Sequence, residues 1–406
     1  MRLLIVIGLL LTPFSTSAAS GMPVVSFGLP CLLLAAAAGF LRPSTDAFLL
    51  TRSTAPAMLA AAASVFSIAM LAFFAPDPGR SLARVAPHVI CYLLAFQLLA
   101  RFRRHPDELA RFALTVIAVS GAVLAVYYAI HLALAARAYG ANTVIVERYT
   151  GGLAALPWGS TNVIAAALIF PHIACVLLKQ GYRCRWTTPV LGLILLAVLL
   201  TTSRAGTLFH GAMLLAGCVL AGRFRALAAW AACILLLLAG YAHFARENLE
   251  LLISTRLSGE RDLSNGRFDS FLMKWEYISD NPMSPVGYYG SMATFDLSSH
   301  NVFLTVLVEQ GVLGLACMLL FLGACLHALF YHRSEARRER RMRRLALAGS
   351  LVAFLNLMVE DANFTQPYMV YFWMFFIATM AFVMHLGAAA PGARPACRSG
   401  VKAWQT

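Results

Sequence analysis

Residues 298–323 read SSHNVFLTVLVEQGVLGLACMLLFLG, in which a His-Asn pair stands at the head of an apolar run long enough to cross a membrane. About 17 to 25 apolar residues span roughly 30 Å of hydrocarbon at about 1.5 Å per helical residue. Working outward from the run at 301–330, similar stretches lie near 3–19, 22–41, 55–75, 85–100, 112–136, 162–178, 187–202, 205–222, 226–244, 345–361 and 368–388. With 60% apolar and 12% charged residues and a mean hydropathy of +0.74, the 406-residue chain carries more apolar surface than a water-soluble fold of that size could hide. The expected fold is an all-α polytopic membrane protein of about 12 transmembrane helices. The first stretch, Arg2 and LLIVIGLLL followed by STSAAS, also resembles a signal peptide, and it is expected to be retained as the first helix.

Lys and Arg residues orient the helices, because cytoplasmic loops are enriched in them. With the N-terminus inside, 22 of the 32 basic residues fall in cytoplasmic segments, seven of them arginines between Arg333 and Arg344. Ten remain outside, half of them in one long loop. The net charge of +14 is therefore mainly a topology signal, accompanied by contact with anionic membrane lipids, and no nucleic-acid partner is implied. The chain divides into helices one to nine over 1–244, an outer loop over 245–299, helices ten to twelve over 300–389 and a cytoplasmic tail over 390–406. None of the nine cysteines falls in an outer segment and no pair has metal-ligand spacing, so neither a disulfide framework nor a metal site is expected.

Three outward segments stand out: VERYTGGLAALPWGSTN at 146–162, TTSRAG at 201–206 and the loop of about 55 residues before His300. Loops of that length inside compact proteins are usually functional or disordered. This one contains NGRFDSFLMKWEYISDNP, in which Phe268, Phe271, Leu272, Trp275 and Ile278 recur with helical period and Asp280-Asn281-Pro282 supplies a stop. The pattern predicts an amphipathic helix lying at the outer membrane interface. Arg267 and Lys274 border its apolar face on one side and Asp269 and Glu276 on the other, all as solvated flanks.

On this topology His300, Arg204, Arg148 and Arg267 share one side of the membrane at similar depth. A lone His at a span end, as His300 is, is more often a simple interfacial residue than a catalyst, and the other nine histidines are expected to lie scattered without partners. Glu309 lies nine residues beyond His300, about 13 Å deeper and half a turn around a continuous helix. It is expected to be structural, with Gly311 and Gly314 allowing close helix packing beneath it.

Taken together, TTSRAG, GRFDSFLMKWEYISDNPMSPVGYYG and SHNVFLTVLVEQGVLG resemble the run of motifs in the bacterial O-antigen ligase and O-antigen polymerase superfamily. RYTGGLAALPWGSTNVIAAAL resembles that family's earlier Arg, Gly and Asn segment, so the likeness covers roughly residues 146–316. It departs at Ala205, where a Gly is common, and at WGSTN, where Asn-Pro-Asn is usual.

The resemblance implies a glycosyltransferase of the bacterial inner membrane, acting on the periplasmic face. Its donor would be an undecaprenyl-diphosphate-linked glycan, and its acceptor a sugar of the lipid A core in a ligase or another repeat unit in a polymerase. Read in that light, Arg204 and Arg267 are the candidates for gripping the diphosphate leaving group, since a guanidinium offers a planar, permanently charged fork to phosphate oxygens. Arg148 and Lys274 are lesser candidates. His300 would be the general base for the acceptor hydroxyl and Asn301 would hold the ring or a sugar hydroxyl. No Asp-x-Asp occurs, so metal-independent chemistry without a cofactor is expected. The rival class is a flippase or transporter for the same lipid-linked sugars. Such proteins carry ionisable groups near the bilayer midplane, where this sequence shows almost none. Ligase is favoured over polymerase, and the oligomeric state is not legible.

Overall fold

The computed structural model describes residues 1–14, 26–41, 51–141, 143–144, 153–156, 159–244, 267–281, 285–295, 300–332, 336–360 and 368–388. The named helices are α1 (Arg2–Leu11), α2 (Gly28–Phe40), α3 (Ala55–Ala72), α4 (Pro78–Arg101), α5 (Pro106–Tyr139), α6 (Thr161–Ala167), α7 (Ile169–Gly181), α8 (Thr187–Thr201), α9 (Arg204–Leu220), α10 (Phe224–Phe244), α11 (Arg267–Asp280), α12 (Ser291–Phe295), α13 (Val302–Tyr331), α14 (Arg337–Leu357) and α15 (Met369–Ala388).

Each of the twelve apolar stretches holds helix, and among the described residues six helical segments are both long and apolar enough to cross a membrane by length and composition: α3, α4, α5, the α6–α7 pair, α13 and α15. Of the other stretches, α10 holds 21 residues, and the remaining five are set apart by length or charge. At about 1.5 Å per residue, the 10 residues of α1 and the 13 of α2 give only about 15 and 20 Å. The 15 and 17 residues of α8 and α9 also stop short of a full crossing, and α14 opens with RRERRMRR.

α15 is apolar all round and almost wholly enclosed, as such a helix should be when it forms the centre of a bundle. It packs on α5, α4, α7 and α13. Its aromatic side reaches α13, where Phe321 meets Phe372, Trp373 and Phe376 with ring centroids 5.1 to 5.8 Å apart. A hydroxyl contact to α5 runs between Tyr371 and Ser120 at 2.8 Å.

The helix ends sort into two faces. One is basic: Arg2 pairs with Glu108 at 2.7 Å, Arg338 Nε donates to the Gly181 carbonyl at 2.7 Å and its guanidinium lies over the Tyr182 ring, and His385 lies 3.3 Å from Glu339. The opposite face gathers the outer ends of α3, α4, α9, α13 and α14 together with α11 and α12.

Among the described residues two helical segments are interrupted, at Leu168 and Gly311, and each interruption is closed by a side chain or a loop. At Leu168 the chain turns between α6 and α7, and His210 Nε2 of α9 lies 3.0 Å from the Ala165 carbonyl in the last turn of α6. The same ring meets His172 of α7, Nδ1 to Nδ1, at 2.9 Å. A carbonyl only accepts, so His210 carries its proton on Nε2, its Nδ1 accepts, and His172 Nδ1 donates. The buried His172 Nε2 is then an acceptor with no partner among the described residues. The expectation of scattered, unpartnered histidines is thereby corrected: helix pairing unites two rings 38 positions apart in sequence.

α13 is likewise two helices joined at Gly311, whose φ of 67° and ψ of −170° belong to a region almost reserved for glycine. The break follows Glu309, so the stretch from Val302 to Gln310 is regular helix and the expected run of 301–330 is divided only beyond it. The Val308 carbonyl, which a regular helix would bond to residue 312, instead accepts from Val286 N–H at 3.0 Å. Gly311 thus serves backbone conformation rather than close helix approach. The Gly314 position leaves room for the side chain of Gln310, which a Cβ there would meet at 2.1 Å. Because alanine at 311 would have to hold a glycine-only conformation, Gly311→Ala is expected to cost about 1–3 kcal/mol. The measurement is thermal unfolding of the detergent-purified protein, and an unchanged midpoint would show that α13 does not depend on this break.

Candidate active site on the outer helix ends

His300 precedes α13 with a left-handed backbone, φ 47°. Of the four non-glycine residues with positive φ among the described residues, three lie on this face: Thr202, Tyr289 and His300. Such strain persists only where surrounding structure imposes it, and it concentrates at functional sites. The His300 ring is about one-third exposed and its Nδ1 lies 3.4 Å from both carboxylate oxygens of the buried Glu360. Glu360 follows the end of α14 and its N–H donates to the Asn356 carbonyl at 2.9 Å. Sequence reasoning did not single it out. A signal was available, since Glu360 lies inside the apolar run 345–361 and an acid within such a run is a functional candidate by default.

Asn301 is the N-cap of α13, with Oδ1 accepting from Leu304 N–H at 3.0 Å. That bond uses one lone pair of the oxygen and leaves the amide NH2 of Asn301 outside the cap.

Arg204 is brought to the same face by two successive caps. α8 ends on Thr202 in the left-handed region, φ 47°. Ser203 then caps α9, its Oγ accepting from Gly206 N–H at 3.2 Å. Gly206 permits this entry, because a Cβ there would stand 2.5 Å from the Ala165 methyl. Arg204 opens α9 and is exposed. α9 packs on α14, and the two run in opposite directions. The Arg204 end of α9 therefore lies toward the Glu360 end of α14, and α14 also packs on α13.

α11 packs on α13 with its polar row inward. Lys274 is fully buried, donating to Ser270 Oγ at 3.2 Å and lying 5.9 Å over the Phe295 ring. Its expected place on a solvated border is corrected: Ser270 and Lys274, one turn apart, turn toward the protein. The apolar residues turn outward instead, with Phe268 69%, Leu272 57% and Trp275 60% exposed, while Asp269 and Glu276 stay exposed as expected. Arg267 begins α11. Arg148 lies outside the described residues.

Glu309 is buried and makes no bond to His300. Its carboxylate accepts from the backbone N–H groups of Tyr289 at 2.9 Å and Ser291 at 3.2 Å, tying the loop before α12 to the first half of α13. Burial, with the Glu309 carboxylate adding to it, pushes the Tyr288 phenol well above its ordinary value, so it remains a donor toward His88 Nε2, 3.2 Å away. Among the described residues no three His, Cys, Asp or Glu side chains converge as a metal-binding group would.

The face thus combines a His-carboxylate pair, a cation-bearing helix start and an apolar-faced helix on a multi-pass helical bundle. No curated protein is matched by the chain. Residues 189–319 match the family model described as O-antigen ligase, a stretch that runs from α8 through Arg204, α11 and His300 to the middle of α13. That match, over the stretch that carries the candidate site, supports membership of the O-antigen ligase family.

Proposed function

We propose that this protein is a glycosyltransferase that moves a glycan from undecaprenyl diphosphate to a sugar of the lipid A core, on the periplasmic face of the bacterial inner membrane. The observation that carries the reading is the contact of His300 with the buried Glu360, next to a backbone held in a strained conformation. In this reading the bundle crosses the membrane about twelve times, the basic face is cytoplasmic and the opposite face periplasmic.

The acceptor hydroxyl oxygen attacks the anomeric carbon of the donor and the carbon–oxygen bond to the diphosphate breaks. His300 takes the hydroxyl proton through Nε2, while Glu360 at Nδ1 orients the ring and favours the imidazolium that forms. Undecaprenyl diphosphate leaves with its electron pair, and Arg204 and Arg267 stabilise the charge that develops on it. The buried, Ser270-bound Lys274 serves the packing of α11 more than the substrate. Asn301 sets the start of the helix behind His300. The O-antigen ligase description of the matching family favours lipid A core as acceptor. The polymerase reaction uses the same residues with a lipid-linked repeat unit in its place.

Purified protein given lipid-linked glycan and lipid A core is expected to extend the core. Growth of the lipid-linked glycan itself would assign the polymerase reaction, and movement of the donor across vesicles without acceptor would assign a flippase. In that assay His300→Ala is expected to abolish transfer and Glu360→Gln to reduce it by roughly 10²- to 10⁴-fold, the scale of a lost acid–base contribution. Near-normal rates in both variants would remove the pair from the mechanism.

Arg204→Lys and Arg267→Lys keep the charge but lose the bidentate fork. Each is expected to lower transfer by about tenfold or more. Wild-type rates in both would mean that general positive potential is enough.

A further inference from the structure

A second group of cations stands on the same face, on α4, a helix that carries none of the residues used in the proposed reaction. Arg80 and Arg84 lie one turn apart in the first two turns of α4, so they share a side of that helix. Both guanidiniums sit over the ring of Tyr289, 5.5 and 4.7 Å from its centroid. Among the described residues neither forms an ion pair. The neighbouring acid, Asp77, is committed to capping α4, its Oδ1 accepting from Arg80 N–H at 3.0 Å.

The arrangement is built. Tyr289 has a left-handed backbone, φ 63°, and its N–H is held by the buried Glu309. The next turn of the same α4 stripe carries His88, which meets Tyr288. The stripe of Arg80, Arg84 and His88 is therefore matched to the two tyrosines, and the loop seats on α3 through Tyr288 N–H to the Leu71 carbonyl at 3.2 Å. Gly287 makes that seat possible, because a Cβ there would lie 2.5 Å from the backbone of Ala75.

Two like charges one turn apart repel each other, and stacking on one ring holds them together while leaving N–H edges for an oxyanion. Beside them, the end of α3 presents Phe73 and Phe74, 60% and 72% exposed, as an apolar surface. Guanidinium pairs above exposed aromatic side chains suit an amphiphile whose phosphate meets the arginines and whose chains meet the phenylalanines.

We infer that Arg80 and Arg84, presented on the ring of Tyr289, form a lipid-phosphate site separate from the Arg204 and Arg267 pair. Where the reading of the protein as a transferase holds, this site takes the phosphate of the lipid A acceptor and so positions the acceptor beside His300. The same chemistry would take a phospholipid headgroup.

The test is a binding measurement that needs no transfer, so its failure is separable from failure of the proposed reaction. Full-length protein in nanodiscs of neutral lipid is titrated with lipid A, with enzymatically dephosphorylated lipid A and with phosphatidylglycerol. For Arg80→Ala/Arg84→Ala, affinity for phosphorylated lipid A is expected to fall about tenfold or more, with dephosphorylated lipid A bound as by wild type. A fall confined to lipid A identifies the acceptor. A parallel fall for phosphatidylglycerol identifies a headgroup site and supports the same proposal. Arg80→Gln/Arg84→Gln repeats the comparison if the alanine protein does not fold. Unchanged affinity for both phosphorylated lipids in a folded variant would overturn the proposal.

Discussion

Hydrocarbon offers no water to a peptide group released from its helix, so every interruption of a membrane helix must be closed by some other part of the protein. Both interruptions in this bundle obey that constraint, and both carry consequences for the outer face. At Leu168 the closing group is the His210 ring, supplied by the helix that Arg204 begins. At Gly311 the closing element is the loop itself: Val286 takes the released Val308 carbonyl, and Glu309 takes two N–H groups of the following turn. The Tyr288–Tyr289 turn is thus seated by the break in α13, and the cations stacked on Tyr289 inherit that seat.

The same accounting explains why the outer face can hold strained residues. Thr202, Tyr289 and His300 each adopt a left-handed backbone, and each has an anchor: the adjacent Ser203 and Asn301 caps for Thr202 and His300, and for Tyr289 the Glu309 carboxylate 20 positions on. Each anchor is a charged or polar side chain accepting a backbone N–H, the bond most valuable where water is scarce.

The apolar runs, the basic face and the placement of His300 and Arg204 at helix starts were legible in the sequence, because length, charge bias and cap residues act locally. What escaped depends on which helices pair. Glu360 joins His300 from 60 positions away, and His172 finds His210 only because α7 and α9 are neighbours. The helical period of α11 was correct, yet period alone does not say which face meets protein. In a membrane the apolar face can turn to lipid, and here Lys274 is the side enclosed. Gly311 could not be told from a packing glycine, since both readings ask for a missing side chain and only the backbone angles separate them. Apolar length in sequence does not reveal where a helix stops, so the short helices α1 and α2 could not be told from the long ones.

The histidine pair also constrains how this sequence can drift. Replacing His210 by an apolar residue strands two buried groups at once, the Ala165 carbonyl and the His172 Nδ1 proton. Replacing His172 strands only the Nδ1 lone pair of His210. A buried polar group without a partner costs about 1–3 kcal/mol, so the two orders of loss are unequal. A lineage that exchanges this pair for apolar side chains has its easier path through position 172. Position 210 is the one fixed by its neighbours, although neither ring touches the groups that carry the proposed chemistry.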